Sequence, residues 1–159
     1  MSYVSGFADI GLRDRPHVGG KGGSLGELQR AQIAVPPGFV VTTAAFERFL
    51  QAVEAQFPVR SRIASLRAGD LSAIKACCEA VRGRLEEAPL PREVAEQIEL
   101  AHAQRCGEPG RPLAVRSSAT TEDAVDASFA GLQDTDLWVQ DLGQALRRVR
   151  SCWASLYSV

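Results

Sequence analysis

Val18-Gly19-Gly20-Lys21-Gly22-Gly23-Ser24-Leu25-Gly26-Glu27-Leu28 sets glycines on both sides of one lysine and then passes into helix-forming sequence. The order predicts a flexible loop that feeds a helix over residues 24–32. Val35-Pro36-Pro37-Gly38 must break that helix, because proline lacks the N–H that the next turn would use. A polyphosphate needs closely approaching backbone N–H groups and a mobile cation. Glycines permit the approach and Lys21 supplies the charge. The pattern is not a Walker A loop, since Gly22 stands where Ser or Thr should follow the lysine. It is not G-x-G-x-x-G either, since Leu25 occupies the third position after Gly22. Read alone, the segment fits a phosphate loop and a flexible loop with an exposed lysine equally well.

Working outward, residues 7–10 read as a short edge strand and residues 11–16 as a polar loop. Phe39-Val40-Val41-Thr42 is β-branched and aromatic and reads as a buried strand, with Thr42 or Thr43 as the cap of the next helix. Phe46, Phe49, Leu50 and Val53 share one face of that helix. Leu71, Ile74, Cys78, Val81 and Leu85 recur at helical spacing, and so do Val94, Ile98 and Ala101, with Asp70 and Pro91 as the starts. This middle region reads as a helical scaffold without chemistry. After a turn-rich break at residues 107–112, residues 112–118 read as a buried strand with a polar end. A long loop is expected over residues 119–130 and a second strand over residues 135–139. Leu142, Ala145, Leu146, Val149, Cys152, Trp153 and Leu156 then form one apolar helical face.

Arg116 ends the first of these late strands, in Val115-Arg116-Ser117-Ser118. A guanidinium at a buried strand end calls for an anionic partner. Its planar fork fits two phosphate oxygens, and the serines beside it can donate to the same group. An ion pair with Glu122 or Asp123 explains the residue equally well. Ser128 to Thr135 holds small residues and Gly131, which would suit a loop that closes over a ligand, though alone the segment reads better as a plain turn into the following strand. Gln133 and Thr135 are its phosphate candidates. His17 and His102 sit in no motif. Glu122, Asp123 and Asp126 read as a solvated loop rather than a metal site.

The 159-residue chain is long enough for one domain with its own core. Its 45% hydrophobic and 23% charged residues are ordinary for a globular protein. A net charge of −1 argues against recruiting nucleic acid or an anionic membrane. Arg147, Arg148 and Arg150 read as a solvated helix face. No apolar run reaches membrane-spanning length, and the first residues do not read as a signal peptide. Cys77, Cys78, Cys106 and Cys152 include no C-x-x-C pair, which favours reduced thiols in a cytoplasmic protein.

Taken together, Val18 to Leu28, Val35-Pro36-Pro37-Gly38-Phe39-Val40-Val41-Thr42 and Ala114-Val115-Arg116-Ser117-Ser118-Ala119-Thr120-Thr121-Glu122-Asp123 occur in a telling order. Ala127-Ser128-Phe129-Ala130-Gly131-Leu132-Gln133-Asp134-Thr135 and Cys152-Trp153-Ala154-Ser155-Leu156-Tyr157 follow them. The series resembles the N-terminal nucleotide-binding domain shared by phosphoenolpyruvate synthases, rifampicin phosphotransferases and, more distantly, pyruvate, phosphate dikinases. The resemblance implies an α+β fold, the first part of an ATP-grasp type domain, with short strands flanked by helices. Residues 57–110 would be its helical segment and residues 112–139 its strand-loop-strand phosphate part.

The resemblance further implies ATP as ligand, with Lys21 and Arg116 on its phosphates and Gly131, Gln133 and Thr135 in the loop that covers them. Arg116 is the residue expected to act in catalysis. In this family the β-phosphoryl of ATP passes to a histidine on another domain. Leu132 departs from the family, which usually has Gln there. The Mg2+ ligands are expected in a half of the domain not contained in these residues, so the chain reads as truncated and inactive alone. The expected partners are ATP and the remaining domains of a larger enzyme, or a second copy joined through exposed apolar surface near Trp138 and Trp153. A truncated paralogue without catalysis, kept for phosphate or protein binding, is the alternative, and so is a purely structural lobe.

Overall fold

The computed structural model describes residues 2–106, 111–120 and 135–158. Its first strands, β1 (Val4–Gly6) and β2 (Phe39–Val41), pair antiparallel, with Val4 opposite Val41 and Gly6 opposite Phe39. The strand expected at residues 7–10 is therefore displaced toward the N-terminus, and Phe7–Asp9 forms a 3-10 turn instead. β1 is legible only through its partner, because its own three residues carry no alternation.

The loop expected at residues 11–16 is also corrected. Leu12–Asp14 is a second 3-10 turn, and helix α1 (Arg15–Arg30) already begins at Arg15. Pro16 sits in its first turn, where its missing N–H has no intrahelical partner to lose. The glycine-rich stretch is thus helix rather than flexible loop, with one departure at Gly19, whose φ is 74° and ψ 174°. Glycine inside a helix costs about 1 kcal/mol relative to alanine. Close packing offsets that cost. A Cβ on Gly26 would lie 2.8 Å from the Ile10 carbonyl carbon, and one on Gly22 3.0 Å from the Val40 side chain. Gln32 then takes a left-handed conformation, φ 59°, and the Val35 to Gly38 break follows as expected.

Helices build the core. From α2 (Thr43–Glu54), Phe49, Leu50 and Val53 are buried, on the face predicted for them. They meet Val59 of α3 (Val59–Ala64), Val81 and Leu85 of α4 (Leu71–Glu87), and Ala154 of α6 (Leu142–Ala154). Trp153 lies over Phe49 and Phe46, with ring centroids 5.2 and 5.6 Å apart. Val94 and Ile98 of α5 (Arg92–Arg105) close a neighbouring cluster with Ala45, against Val4, Phe39 and Val41. The α4 stripe is buried only in its second half, since Leu71 is 73% exposed. Asp70 caps α4 by accepting from the Ala73 N–H at 3.0 Å. Thr42 holds the N-cap position of α2, but its hydroxyl donates to the Ser2 carbonyl at 3.3 Å rather than capping.

A second antiparallel pair joins β3 (Leu113–Arg116) to β4 (Thr135–Val139), with Leu113 opposite Val139, Val115 opposite Asp136 and Arg116 opposite Thr135. The register shifts between Leu113 and Val115, and Trp138 in this bulge has φ 60°. Helix α6 packs against both strands of the ribbon. β3 is still not the buried strand the sequence suggests: Leu113 and Val115 are half-buried, and Ala114 and Arg116 are exposed. The two tryptophans also part company. Trp138 is 74% exposed, while Trp153 packs into the core. The basic residues of α6 are more than a solvated face, since Arg148 pairs with Asp136 at 3.2 Å and Arg150 donates to the Ala88 carbonyl at 2.9 Å. The architecture is α+β, with short strands flanked by helices. No described helix is long and apolar enough to cross a membrane.

Candidate functional site

The end of β3 and the glycine helix meet directly, although nearly a hundred residues separate them. The Ser118 hydroxyl donates to the Val18 carbonyl at 2.8 Å and accepts from the Gly22 N–H at 3.0 Å. The Gly20 N–H donates to the Ala119 carbonyl at 3.1 Å. Gly19 makes this contact possible in two ways. Its φ lies in the left-handed half of the map, and a Cβ there would overlap the Ser118 carbonyl.

Lys21 therefore sits, half-buried, between two glycines that are fastened to the strand end. Arg116 lies two residues before Ser118 and is exposed, with Thr135 opposite it across the ribbon. Arg116 and Thr135 thus share one end of the ribbon, and the bonds at Ser118 and Ala119 tie the chain just beyond Arg116 to the helix that carries Lys21. Gly131 and Gln133 lie outside the described residues, as do Leu132, Glu122, Asp123, Asp126 and Ser128.

Two parts of the sequence argument change. Arg116 is exposed, so the cost of a buried charge does not demand a partner for it. The helix also does not offer its opening amides as a nest for an anion. The N–H groups of Gly20 and Gly22 are already used by Ala119 and Ser118. Lys21 brings an ammonium to this region, Arg116 a planar guanidinium and Thr135 a hydroxyl. A pair of cations suits a ligand with several negative charges better than a single carboxylate does.

The sequence pairs Ser118 with Ser117 as a phosphate donor, whereas in the structure the Ser118 hydroxyl donates to the Val18 carbonyl. The available signal was a small hydroxyl residue beside a motif whose partner is a glycine-rich helix, which is too common to single it out. His17 lies in α1 rather than a loop, and His102 lies on α5.

Among the described residues, no cluster of His, Cys, Asp or Glu could hold a metal ion. Two open grooves lie elsewhere. One of about 440 Å³ is lined by Glu86, Gln144, Arg147, Arg148 and Arg150, and one of about 310 Å³ by Phe7, Pro36, Pro37 and Arg105. Neither includes Lys21, Arg116 or Thr135. The guanidinium groups of the larger groove are partly committed already, Arg148 to Asp136 and Arg150 to Ala88.

Comparison with known proteins bears on the junction. The sequence model of one family, described as "Pyruvate phosphate dikinase, AMP/ATP-binding domain", matches residues 15–159. A probable phosphoenolpyruvate synthase of Methanothermobacter thermautotrophicus is 37% identical over 160 residues, which cover 99% of this chain and 23% of that protein. A phosphoenolpyruvate synthase of Deinococcus radiodurans is 36% identical, over 99% of this chain and 20% of its own length. A rifampicin phosphotransferase of a Streptomyces species is 42% identical, over 98% of this chain and 18% of its own length. The chain spans about a fifth of the length of these curated relatives.

Proposed function

The chain belongs to the pyruvate phosphate dikinase AMP/ATP-binding domain family, and from that premise we propose that it holds the phosphates of ATP within a larger phosphoenolpyruvate synthase-like dikinase. Lys21 and Arg116 are the phosphate-binding cations in this reading, and Arg116 is the one that acts on the transferring group. Thr135 adds a hydroxyl from β4, and Gly131 and Gln133 belong to the loop that covers the phosphates. The observation that carries the reading is the direct fastening of the Lys21 helix to the strand end that bears Arg116.

The donor set fits a polyphosphate. An ammonium and a guanidinium bring mobile positive charge, and phosphoryl transfer rests on positioning and charge neutralisation more than on covalent chemistry by the protein. Magnesium would supply further charge neutralisation of the phosphates. This reading assigns none of its protein ligands to the described residues. The residues of this chain bind and orient the polyphosphate. The β-phosphoryl then passes to a histidine of another domain, so residues 1–159 alone should turn nothing over. Residues 57–110 act as helical support and residues 112–139 as the phosphate-facing part. Partners are ATP and the other domains of the larger enzyme.

Calorimetric titration of the chain with ATP and magnesium, beside the Lys21→Ala, Arg116→Ala double variant, tests the reading. Binding that the double variant loses is the expected result. Equal affinity in both chains would remove the junction from the account.

A further inference from the structure

Ser118 stands where α1 loses one of its own hydrogen bonds. In an unbroken α-helix the Gly22 N–H would donate to the Val18 carbonyl, four residues back. The backbone turn at Gly19 opens that rung. The Ser118 hydroxyl occupies both halves of it, accepting from Gly22 at 3.0 Å and donating to Val18 at 2.8 Å. A side chain inserted into the ladder is one of the recognised causes of a helix kink. Here the inserted group comes from the strand that carries Arg116. The main-chain bond from Gly20 to Ala119 makes a second tie beside it.

We propose that Ser118 is a positioning residue: its hydroxyl, inserted into α1, fixes the register of Lys21 against Arg116 so that one polyphosphate meets both cations. The inference rests on the reading that Lys21 and Arg116 hold ATP phosphates, and it adds a residue that touches no ligand. Its hydroxyl is spent on Val18 and Gly22, so Ser118 acts through Lys21. The largest apolar cluster lies among α2, α3, α4 and α6 and includes none of these residues; Val18 belongs to a smaller cluster with Ile10 and Val40. Loss of the hydroxyl should therefore loosen the kink without unfolding the chain.

Ser118→Ala and Ser118→Thr in residues 1–159 test this by amide hydrogen exchange, urea midpoint and ATP calorimetry together. In Ser118→Ala, exchange at Gly22 should rise about tenfold or more, and ATP affinity should fall about tenfold, while the urea midpoint stays close to that of the parent chain. Ser118→Thr keeps the hydroxyl and should restore both exchange protection and affinity. Unchanged protection at Gly22 in Ser118→Ala would overturn the insertion. Lost protection with full ATP affinity would overturn the positioning role and leave the ATP reading standing. Loss of affinity in step with a large drop in urea midpoint would assign Ser118 to general stability instead. A parent chain that binds no ATP would end the underlying reading, and the positioning role with it.

Discussion

Gly19→Ala puts the α1–β3 junction under the sharpest stress. Gly19 has φ 74° and ψ 174°, a combination that residues with a Cβ hold only at a cost of about 1–3 kcal/mol. The added methyl would also overlap the carbonyl of Ser118, which is backbone and cannot rotate aside. Relief requires the strand end to withdraw, which breaks or stretches the bonds from Gly20 to Ala119, Gly22 to Ser118 and Ser118 to Val18. Each such bond contributes about 0.5–1.5 kcal/mol net. The expected destabilisation is about 3 kcal/mol, large against the roughly 5–15 kcal/mol of a typical domain but short of abolishing the fold.

Gly83→Ala is the matched control. Gly83 lies inside α4, and a Cβ there meets nothing within 4 Å, so alanine should stabilise by about 0.5–1 kcal/mol. Urea denaturation followed by circular dichroism reads both changes from the midpoints, provided the slopes agree. A Gly19→Ala loss below about 1 kcal/mol would refute both the close approach of Ser118 and the backbone requirement.

Two further outcomes follow from the same structure. Iodoacetamide on the native chain at neutral pH should label the half-buried Cys77 well before Cys106 and Cys152, which are buried, as mass spectrometry would show. The thiolate is the reactive form, and burial pushes the thiols of Cys78 and Cys106 up, with Cys77 adding to the effect on Cys78. Asp141 caps α6, and the Gln144 N–H, 2.7 Å away, is the main cause that holds its carboxyl below the ordinary aspartate value of 3.8. The folded state thus takes up this proton less readily than the unfolded chain. The stabilisation is complete above the ordinary value and disappears as pH falls through the lowered one. Asp141→Asn keeps a capping oxygen but cannot titrate, so its urea midpoint should fall less than the parent's between about pH 5 and about pH 2. Parallel acid limbs would contradict this.

The helices were the legible part of the sequence. Phe49, Leu50 and Val53, or Val94 and Ile98, repeat at 3.6-residue spacing strongly enough that their burial follows from period alone. The glycine stretch is helix where its composition suggests loop, because a glycine serves open loop and tight packing alike. The difference lies in what stands against it, here Ile10 at Gly26 and Ser118 at Gly19, which sequence spacing does not reveal. β1 was misplaced because its residues become a strand only through β2, far along the chain. The apolar residues of β3 fit a core strand, yet Leu113 and Val115 are only half-buried and Ala114 and Arg116 are exposed. At the candidate site, the motifs mark Lys21, Arg116 and Thr135 only as candidates, and the contact of Ser118 with Val18 and Gly22 depends on a kink that no motif encodes.

The central claim is that ATP phosphates sit at the junction of α1 and β3. Calorimetric titration with ATP and magnesium, comparing the parent chain, Lys21→Ala with Arg116→Ala, and Arg147→Ala with Arg148→Ala, tests it most directly. The second pair removes equal charge from the groove beside α4 and α6. Binding should be abolished by the Lys21 and Arg116 changes and left within about twofold by the groove changes. Binding that survives the first pair, or is lost only with the second, would contradict the claim.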